Sequence, residues 1–264
     1  MGKKKNLAEL DEYDKGYIEA KMSRSTIAKG EIDPLISAKR LSYKVELKCK
    51  NKKQKELVKS IQENKITIVK GVFGVGKTYV INSTALKMLK DPASGIEKII
   101  LIMPTLEVGD MHLGLLPGDL NEKLVSHSMN ELDSFQKILK NSENLGSKLI
   151  IDDLMAKGLI EIRPISFLRG ASLNNAFICV SEAEEFTKDE LFLIISRYEG
   201  GRMVISGDPL QSSRKNVKNG DSGLLHAIER LKDIEGVGII EFSDEDIVRN
   251  DILLEIYNKW KNIR

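Results

Sequence analysis

The sequence has few of the residues that build metal clusters and disulfide scaffolds. It contains two cysteines and three histidines among 264 residues, and the histidines are not paired at zinc-ligand spacing. Cys49 and Cys179 lie far apart in the chain, which favours a reducing compartment over a disulfide-stabilised fold. We therefore expect no zinc chemistry and no disulfide framework.

Long hydrophobic runs are also missing. No apolar stretch approaches the ~20 residues that a membrane helix requires. The opening stretch MGKKKNLAELDEYDK is basic and then turns acidic, whereas a signal peptide would turn apolar. These features predict a cytoplasmic protein that does not bind membranes. The hydrophobic content of 41% suffices for one large α/β domain with extra material, or for two small domains.

Positive charge is concentrated near the amino terminus. Residues 1–55 contain 15 Lys/Arg and 8 Asp/Glu, although the whole chain has a net charge of only +2. The densest basic stretch is VELKCKNKKQK, residues 45–55. Such a stretch is typical either of a solvated arm or of a surface that binds nucleic-acid phosphates.

Short apolar runs alternate with helical patterns along most of the chain. The alternation predicts a doubly wound α/β fold with a mostly parallel sheet. We expect an N-terminal extension, partly helical or flexible, over residues 1–45, and the folded domain over residues 46–264. The predicted strands cover 66–69, 98–103, 159–165, 176–180, 202–206 and 236–242. The predicted helices cover 51–63, the segment after residue 77, 187–198, 222–232 and 250–261.

The stretch GVFGVGKT, residues 71–78, matches the phosphate-loop pattern G-x-x-x-x-G-K-[ST]. A predicted strand precedes it and a predicted helix follows, as a phosphate loop requires. Its glycines permit a backbone whose N–H groups surround phosphate oxygens. Lys77 is expected to reach the terminal phosphates of ATP and the Thr78 hydroxyl to ligate Mg²⁺. The predicted nucleotide-binding residues are Gly71, Val72, Phe73, Gly74, Val75, Gly76, Lys77, Thr78 and Tyr79.

Polar residues follow two other predicted strands. Ser181 and Glu182 come directly after the strand at 176–180, and SGDPLQ, residues 206–211, ends the strand at 202–206. Because ligands of open α/β sheets bind where the strands end, both stretches should face the phosphates. Glu182 is the candidate general base that aligns the attacking water. Asp208 and Gln211 are candidates to sense the γ-phosphate and to hold the water or the metal.

The segment from 164 to 211, PISFLRGASLNNAFICVSEAEEFTKDELFLIISRYEGGRMVISGDPLQ, resembles the core of the PhoH-like ATPases. The stretches LEVGDMHLGLLPGDLNEKL (106–124) and GLLHAIERLKDIEGVGIIEFSDEDIVRND (223–251) resemble the same family. The resemblance covers roughly residues 45–260. It implies a fold similar to the first motor domain of superfamily 1 helicases, with Mg²⁺-dependent ATP hydrolysis coupled to RNA or single-stranded nucleic acid. It also implies that Gln54 contacts adenine, although a lone glutamine on a lysine-rich helix is more often a surface residue.

Two positions depart from the family pattern. Met103 stands where the family usually has arginine. Ser181 stands where the family has the aspartate that orders Mg²⁺ through water; its hydroxyl can hold a metal-bound water but brings no negative charge. Losing such a partner typically costs about 10–100-fold in metal affinity or activity. We therefore expect weakened hydrolysis that demands more Mg²⁺, with Asp208 and Glu184 as the acids available to compensate.

Two other kinds of function remain open at this point. A non-catalytic ATP-binding assembly or regulatory protein is the main alternative, and Ser181 is the residue that distinguishes it from an ATPase. A small-molecule kinase is a third possibility, although SGDPLQ resembles helicase-like ATPases more closely.

We expect no room in 264 residues for a second motor domain that would complete the site. Phosphoryl transfer often uses an arginine finger, worth about 10³–10⁵ in rate. Arg249 and Arg197 match arginines of the family pattern, and either is also a candidate for a simple surface ion pair. The resemblance implies a homo-oligomeric ring, with a hexamer expected, in which a neighbouring subunit supplies the finger. Because aromatics make up only 5% of the chain, nucleic-acid binding through segment 39–55 should be directed to the backbone.

Overall fold

The computed structural model describes residues 43–104, 129–139 and 146–248, together with positions 252, 255, 256 and 259. The chain divides into two units, 1–42 and 43–264, and all described residues belong to the second. Residue Arg249 and the stretch 106–124 lie outside the described residues, as do residues 1–42 and most of the helix predicted at 250–261.

A six-stranded parallel sheet forms the centre of the described unit. The strand order is β3-β2-β4-β5-β1-β6, and every neighbouring pair is parallel. The α/β fold class predicted from the alternating pattern is confirmed, and every predicted strand end lies within one residue of the observed end. The strands are β1 Ile66–Lys70, β2 Lys98–Met103, β3 Ile160–Pro164, β4 Ala176–Val180, β5 Gly201–Gly207 and β6 Val237–Glu241.

Helices connect the strands. Four of them were predicted by apolar periodicity, whereas α3, α4 and the single turn α6 were not. The helices are α1 Lys52–Glu63, α2 Lys77–Lys90, α3 Met129–Leu139, α4 Ser147–Ala156, α5 Lys188–Ile195, α6 Lys215–Lys218 and α7 Gly223–Leu231. None of the helices in the described part of the chain is long and apolar enough to cross a membrane.

Helices cover both faces of the sheet. Successive side chains of a strand point to opposite faces, and Ile178 and Met203 pack on one face against Leu191 of α5 and Leu224 of α7. Cys179 and its alternating neighbours point to the other face, where they are also buried and where α2 contacts β2 and β4. Burial on both faces explains why these strands are continuous apolar runs and not alternating ones.

The strand order brings three chain segments to one edge of the sheet. Strand β5 lies between β1 and β4, pairing Lys70 with Gly207 and Val180 with Ile205. The Gly71 N–H donates to the Gly207 carbonyl at 3.2 Å, so the loop after β1 starts against the end of β5. The loop after β1 and the polar stretches after β4 and β5 are therefore neighbours.

Candidate functional site

The loop between β1 and α2 has the shape of an anion cradle. Gly74 and Gly76 have φ values of 81° and 83°, in the left-handed region that favours glycine. A Cβ at Gly71 would lie 2.6 Å from the Cβ of Phe242, so that position also excludes a side chain. No side chain caps the start of α2. Its free N–H groups and helix dipole favour an anion at this point.

Lys77 closes this loop. Its ammonium group donates to the carbonyls of Gly71 and of Val72, the latter at 3.0 Å. Burial lowers the pKa of Lys77, whereas the nearby charges of Asp208 and Glu184 raise it. The lysine thus lies between the loop and the acids that follow β4 and β5. Thr78, the next residue, is exposed at the start of α2.

Gln54 and Val248 hold the loop from outside. The buried Gln54 amide donates to the Val75 carbonyl at 2.9 Å and accepts the Lys50 N–H at 2.7 Å. The Val248 N–H donates to the Gly74 carbonyl at 3.1 Å. Both described side-chain hydrogen bonds of Gln54 are to the chain's own backbone, so its contact with adenine stays a prediction.

The aromatic residues of the loop region have different environments. Phe73 is 36% exposed at the loop. The Tyr79 hydroxyl donates to the Glu46 carbonyl at 3.0 Å and accepts the Lys48 N–H at 3.2 Å. Tyr79 therefore anchors the extended segment before α1 along helix α2, and its predicted nucleotide contact is not tested by these hydrogen bonds.

The turn after β4 holds Glu182 in an uncommon backbone conformation. Its φ and ψ of 53° and 42° are left-handed, which for a non-glycine residue is strained and often functional. Burial raises the pKa of Glu182, and the charges of Glu131 and Glu185 raise it further. A half-buried carboxyl with a raised pKa is a stronger base than a solvated one, which suits a residue that accepts a proton from water.

The segment after β5 brings Asp208 and Gln211 together, and their contact with the γ-phosphate, the water or the metal stays a prediction. The buried Asp208 carboxylate accepts the Leu210 N–H at 3.1 Å and the Gln211 side-chain amide at 2.8 Å. The Glu184 carboxylate accepts the Asp208 N–H at 3.0 Å. Both acids that were expected to compensate for Ser181 are thus hydrogen-bonded within this segment.

Further acids that the sequence did not single out tie these turns together. Glu185 accepts both the N–H and the hydroxyl of Ser213, at 2.6 and 3.0 Å. Arg214 donates to the Glu185 carbonyl at 2.9 Å and to the Glu190 carboxylate at 2.7 Å. The turn after β4 and the segment after β5 therefore form one hydrogen-bonded unit. The cluster of Glu182, Glu184 and Glu185 was visible in the sequence, but the hydrogen-bond partners of each acid were not.

Glu131 is another acid that the sequence did not single out. It lies in α3, is 7% exposed, and accepts a hydrogen bond from the Asn82 side chain of α2 at 2.8 Å. Apolar residues at helical spacing, Leu132, Phe135, Ile138 and Leu139, could have indicated the helix, but no sequence signal indicated its contact with Asn82.

Arg197 lies away from the phosphate loop of its own chain. Its carbonyl accepts the Leu173 N–H at 2.9 Å. Leu173 and Arg197 come shortly before β4 and β5 in the sequence, so this contact lies at the amino ends of these two strands. The loop lies beyond their carboxyl ends, about 15–20 Å along the strands at ~3.3 Å per residue. The predicted nucleotide contact of Arg197 therefore requires a neighbouring subunit. Its buried Nε has no hydrogen-bond partner among the residues that the structure describes.

Comparison with known proteins identifies similar sequences. The family model described as PhoH-like protein matches residues 46–261. The PhoH-like protein of Bacillus subtilis is 34% identical over 218 residues, which cover 81% of this chain and 64% of that protein. The PhoH-like protein of Synechocystis is 31% identical over 220 residues, covering 82% and 63%. The matched region thus spans just under two thirds of these relatives.

A solved structure described as the Pyrococcus furiosus Hef helicase domain is also similar. It has a TM-score of 0.43 and 16% identity, and the match covers 74% of this chain and 38% of that one. Similarity at this level carries no argument about function.

The buried Glu184 predicts a specific pH dependence of stability. Burial raises its pKa from 4.5 to about 7, so the folded state binds this proton more tightly than the unfolded state does. The stabilisation is complete below the unfolded pKa and is lost as the pH rises through the folded pKa. Glu184→Gln keeps an acceptor for the Asp208 N–H but cannot ionise.

The stability of Glu184→Gln relative to the parent should therefore rise between about pH 5 and about pH 8, by up to ~3 kcal/mol. Urea unfolding of both proteins at several pH values measures this difference. A relative stability that stays constant or falls over that range would contradict the assignment.

Proposed function

The chain belongs to the PhoH-like protein family, and on that basis we propose that it binds ATP with Mg²⁺ and hydrolyses it, coupled to RNA or another single-stranded nucleic acid. The observation that carries this proposal is the position of Lys77. Its ammonium group lies on the carbonyls of the phosphate loop and close to the charges of Asp208 and Glu184. From this position the Lys77 ammonium group can bind a terminal phosphate of the nucleotide.

The residues present suit a magnesium nucleotide. Thr78 has an exposed side chain at the start of α2, and the Ser181 hydroxyl can hold a metal-bound water. Within the described ranges, no group of three or more His, Cys, Asp or Glu residues could hold a metal by itself. This composition fits Mg²⁺, which keeps several waters and is held by one or two protein groups plus substrate phosphates. When bound, the ion neutralises charge on the phosphates.

Glu182 is the residue proposed to accept the proton of the attacking water. Its backbone has the uncommon left-handed conformation, and burial raises its pKa. Gln211, fixed by the Asp208 carboxylate at 2.8 Å, is proposed to orient the same water or to sense the γ-phosphate. Ser181 brings no negative charge, so this position by itself predicts weak hydrolysis with a high demand for Mg²⁺.

A non-catalytic ATP-binding assembly protein is the second candidate. The observation that favours it is Ser181, because the position after β4 lacks a carboxylate. The two candidates share the phosphate loop and differ only in turnover.

We also propose that the active species is a ring, with a hexamer expected, in which a neighbouring subunit supplies an arginine. Arg197 reaches no nucleotide of its own chain, and its Nε is buried without a described partner. Arg249, which lies outside the described residues, directly follows Val248, a contact of the phosphate loop. Full ATP turnover by a species that light scattering shows to be monomeric would contradict this assembly.

The basic segment 39–55, of which residues 43–55 are described and the last four lie on α1, is proposed to bind nucleic-acid backbone. Several of its lysines already have acidic partners: Lys44 and Lys48 each lie 3.2 Å from Glu46, and Lys53 lies 3.0 Å from Glu56. These exposed pairs are weak and exchange readily for phosphate contacts. They also mean that the segment presents less net charge than its lysine count suggests.

Turnover by the Glu182→Gln variant tests the proposed chemistry. The amide cannot accept a proton, so hydrolysis should fall by at least about 100-fold while ATP affinity is retained. Phosphate release should be followed across Mg²⁺ concentrations, with and without single-stranded RNA. Glu229→Gln, an exposed residue on α7, is the matched control and should keep full turnover. A parent that shows no turnover at any Mg²⁺ concentration would favour the assembly protein.

Neutralising basic residues tests the proposed nucleic-acid surface. Changing Lys50, Lys52 and Lys53 to glutamine should weaken RNA binding similarly for all sequences. It should also flatten the salt dependence by about 0.7 in log–log slope for each phosphate that the protein no longer neutralises. Fluorescence anisotropy with single-stranded RNA at several salt concentrations measures this. Lys59→Gln, on α1, is the control. An unchanged slope in the triple variant would show that these three lysines are solvated and do not bind RNA phosphates.

A further inference from the structure

Glu131 is a buried carboxylate with little to compensate its charge. It is 7% exposed and Asn82 is 1% exposed. The Asn82 amide donates to the Oε2 oxygen of Glu131 at 2.8 Å. Among the described residues, Oε1 has no hydrogen-bond partner and the carboxylate has no ion pair. A buried carboxylate that is held by one neutral amide is costly unless a cation or water meets it.

Helix α2 places Glu131 close to the proposed metal ligand. Asn82 follows Thr78 by four residues, so the two side chains lie on the same face of α2, one turn apart. One helical turn corresponds to about 5 Å. Asn82 holds the Glu131 carboxylate. The carboxylate is therefore bound to α2 about one helical turn after Thr78, toward the C-terminal end of the helix.

Strand β4 locates Glu131 on the same side as Ser181. Alternate residues share a face of a strand, so Ser181 continues the face of Cys179, and α2 contacts β4 on that face. Helix α3 packs against α2, and Asn82 of α2 holds the Glu131 carboxylate. Glu131 and Ser181 are therefore both expected on the face of the sheet that α2 covers.

We propose that Glu131 supplies, from helix α3, the negative charge that Ser181 lacks beside the Mg²⁺ of the ATP complex. This inference rests on the proposed function. Asn82 fixes one carboxylate oxygen, and the other is left to hold a water on the metal. The two acids expected from the sequence are less suitable, since Asp208 binds Gln211 and Glu184 binds the Asp208 N–H.

The same arrangement gives a reason for serine at position 181. An aspartate there would bring a second carboxylate to the face that already carries Glu131, and two close carboxylates resist being ionised together. A small neutral hydroxyl avoids this repulsion. The Glu131 carboxylate is therefore the one negative charge proposed beside the metal on this face of the sheet.

Nucleotide binding, measured without turnover, provides the test. The affinity for a fluorescent ATP analogue is measured against free Mg²⁺ for the parent and for Glu131→Gln, which keeps an acceptor for Asn82. Affinity without Mg²⁺ should stay within about 2-fold of the parent, whereas the Mg²⁺ concentration for half-maximal tightening should rise about 10–100-fold. Asp133→Asn, an exposed acid on the same helix, should leave both values unchanged.

Ser181→Asp distinguishes a role at the metal from a merely structural role. In the Glu131→Gln background it should lower the half-maximal Mg²⁺ concentration by about 10-fold or more. In the parent the same substitution should produce a much smaller shift, because a carboxylate is already present. A loss of packing at Glu131 would reduce thermal stability but would not be rescued in this Mg²⁺-specific way.

The possible results separate the inference from the proposed function. An unchanged half-maximal Mg²⁺ concentration in Glu131→Gln, or an equal gain from Ser181→Asp in both backgrounds, overturns the inference and leaves the proposed function standing. A parent that binds no ATP, or binds it independently of Mg²⁺, overturns both. If Glu131→Gln does not fold, a gain of about 10-fold or more from Ser181→Asp in the parent still overturns the inference.

Discussion

The rest of the site depends on the hydrogen bonds between the Lys77 ammonium group and the phosphate loop. The lysine donates to the carbonyls of Gly71 and Val72, and those carbonyls are fixed because Gly71 binds the end of β5 at 3.2 Å. Gln54 holds the following part of the loop through Val75 at 2.9 Å. The position of the Lys77 ammonium group therefore depends on the strand order, on the tight phosphate loop and on helix α1, which carries Gln54.

Several carboxyl groups lie around that lysine. Asp208 and Glu184 raise the pKa of Lys77 against the effect of burial. The pKa of Glu182 is raised mainly by burial and further by the charges of Glu131 and Glu185. A site with several partly buried carboxylates and one such cation favours the arrival of a divalent cation together with a phosphate. The absence of a carboxylate at Ser181 and the presence of one at Glu131 fit as a single change that keeps this charge balance.

Local patterns were enough to predict the strands and the phosphate loop. The runs at 98–103 and 176–180 match β2 and β4 residue for residue, because strands buried on both faces are continuously apolar. The stretches after β4 and β5 were expected to be neighbours because ligands of open α/β sheets bind where the strands end, and the Glu184 carboxylate indeed accepts the Asp208 N–H at 3.0 Å.

Tertiary contacts explain what the sequence did not predict. Glu131 is relevant because α3 packs on α2 and brings it to Asn82, and the apolar spacing of α3 does not indicate which helix it packs on. Arg197 was expected to enter the site of an adjacent subunit, and its distance from the phosphate loop of its own chain became visible only in the fold. The lysines of the basic segment 39–55 were visible as charge, whereas the partners Glu46 and Glu56 depend on side-chain geometry.

Calorimetric titration of ATP with Mg²⁺ into the parent and into Lys77→Ala tests the central claim most directly, with circular dichroism confirming that both proteins are folded. A nucleotide site on the phosphate loop predicts one ATP bound per chain of the parent. It also predicts an affinity for Lys77→Ala reduced by at least about 100-fold, since alanine cannot form a charge-assisted hydrogen bond to phosphate. Unchanged ATP affinity in a folded Lys77→Ala variant would contradict it.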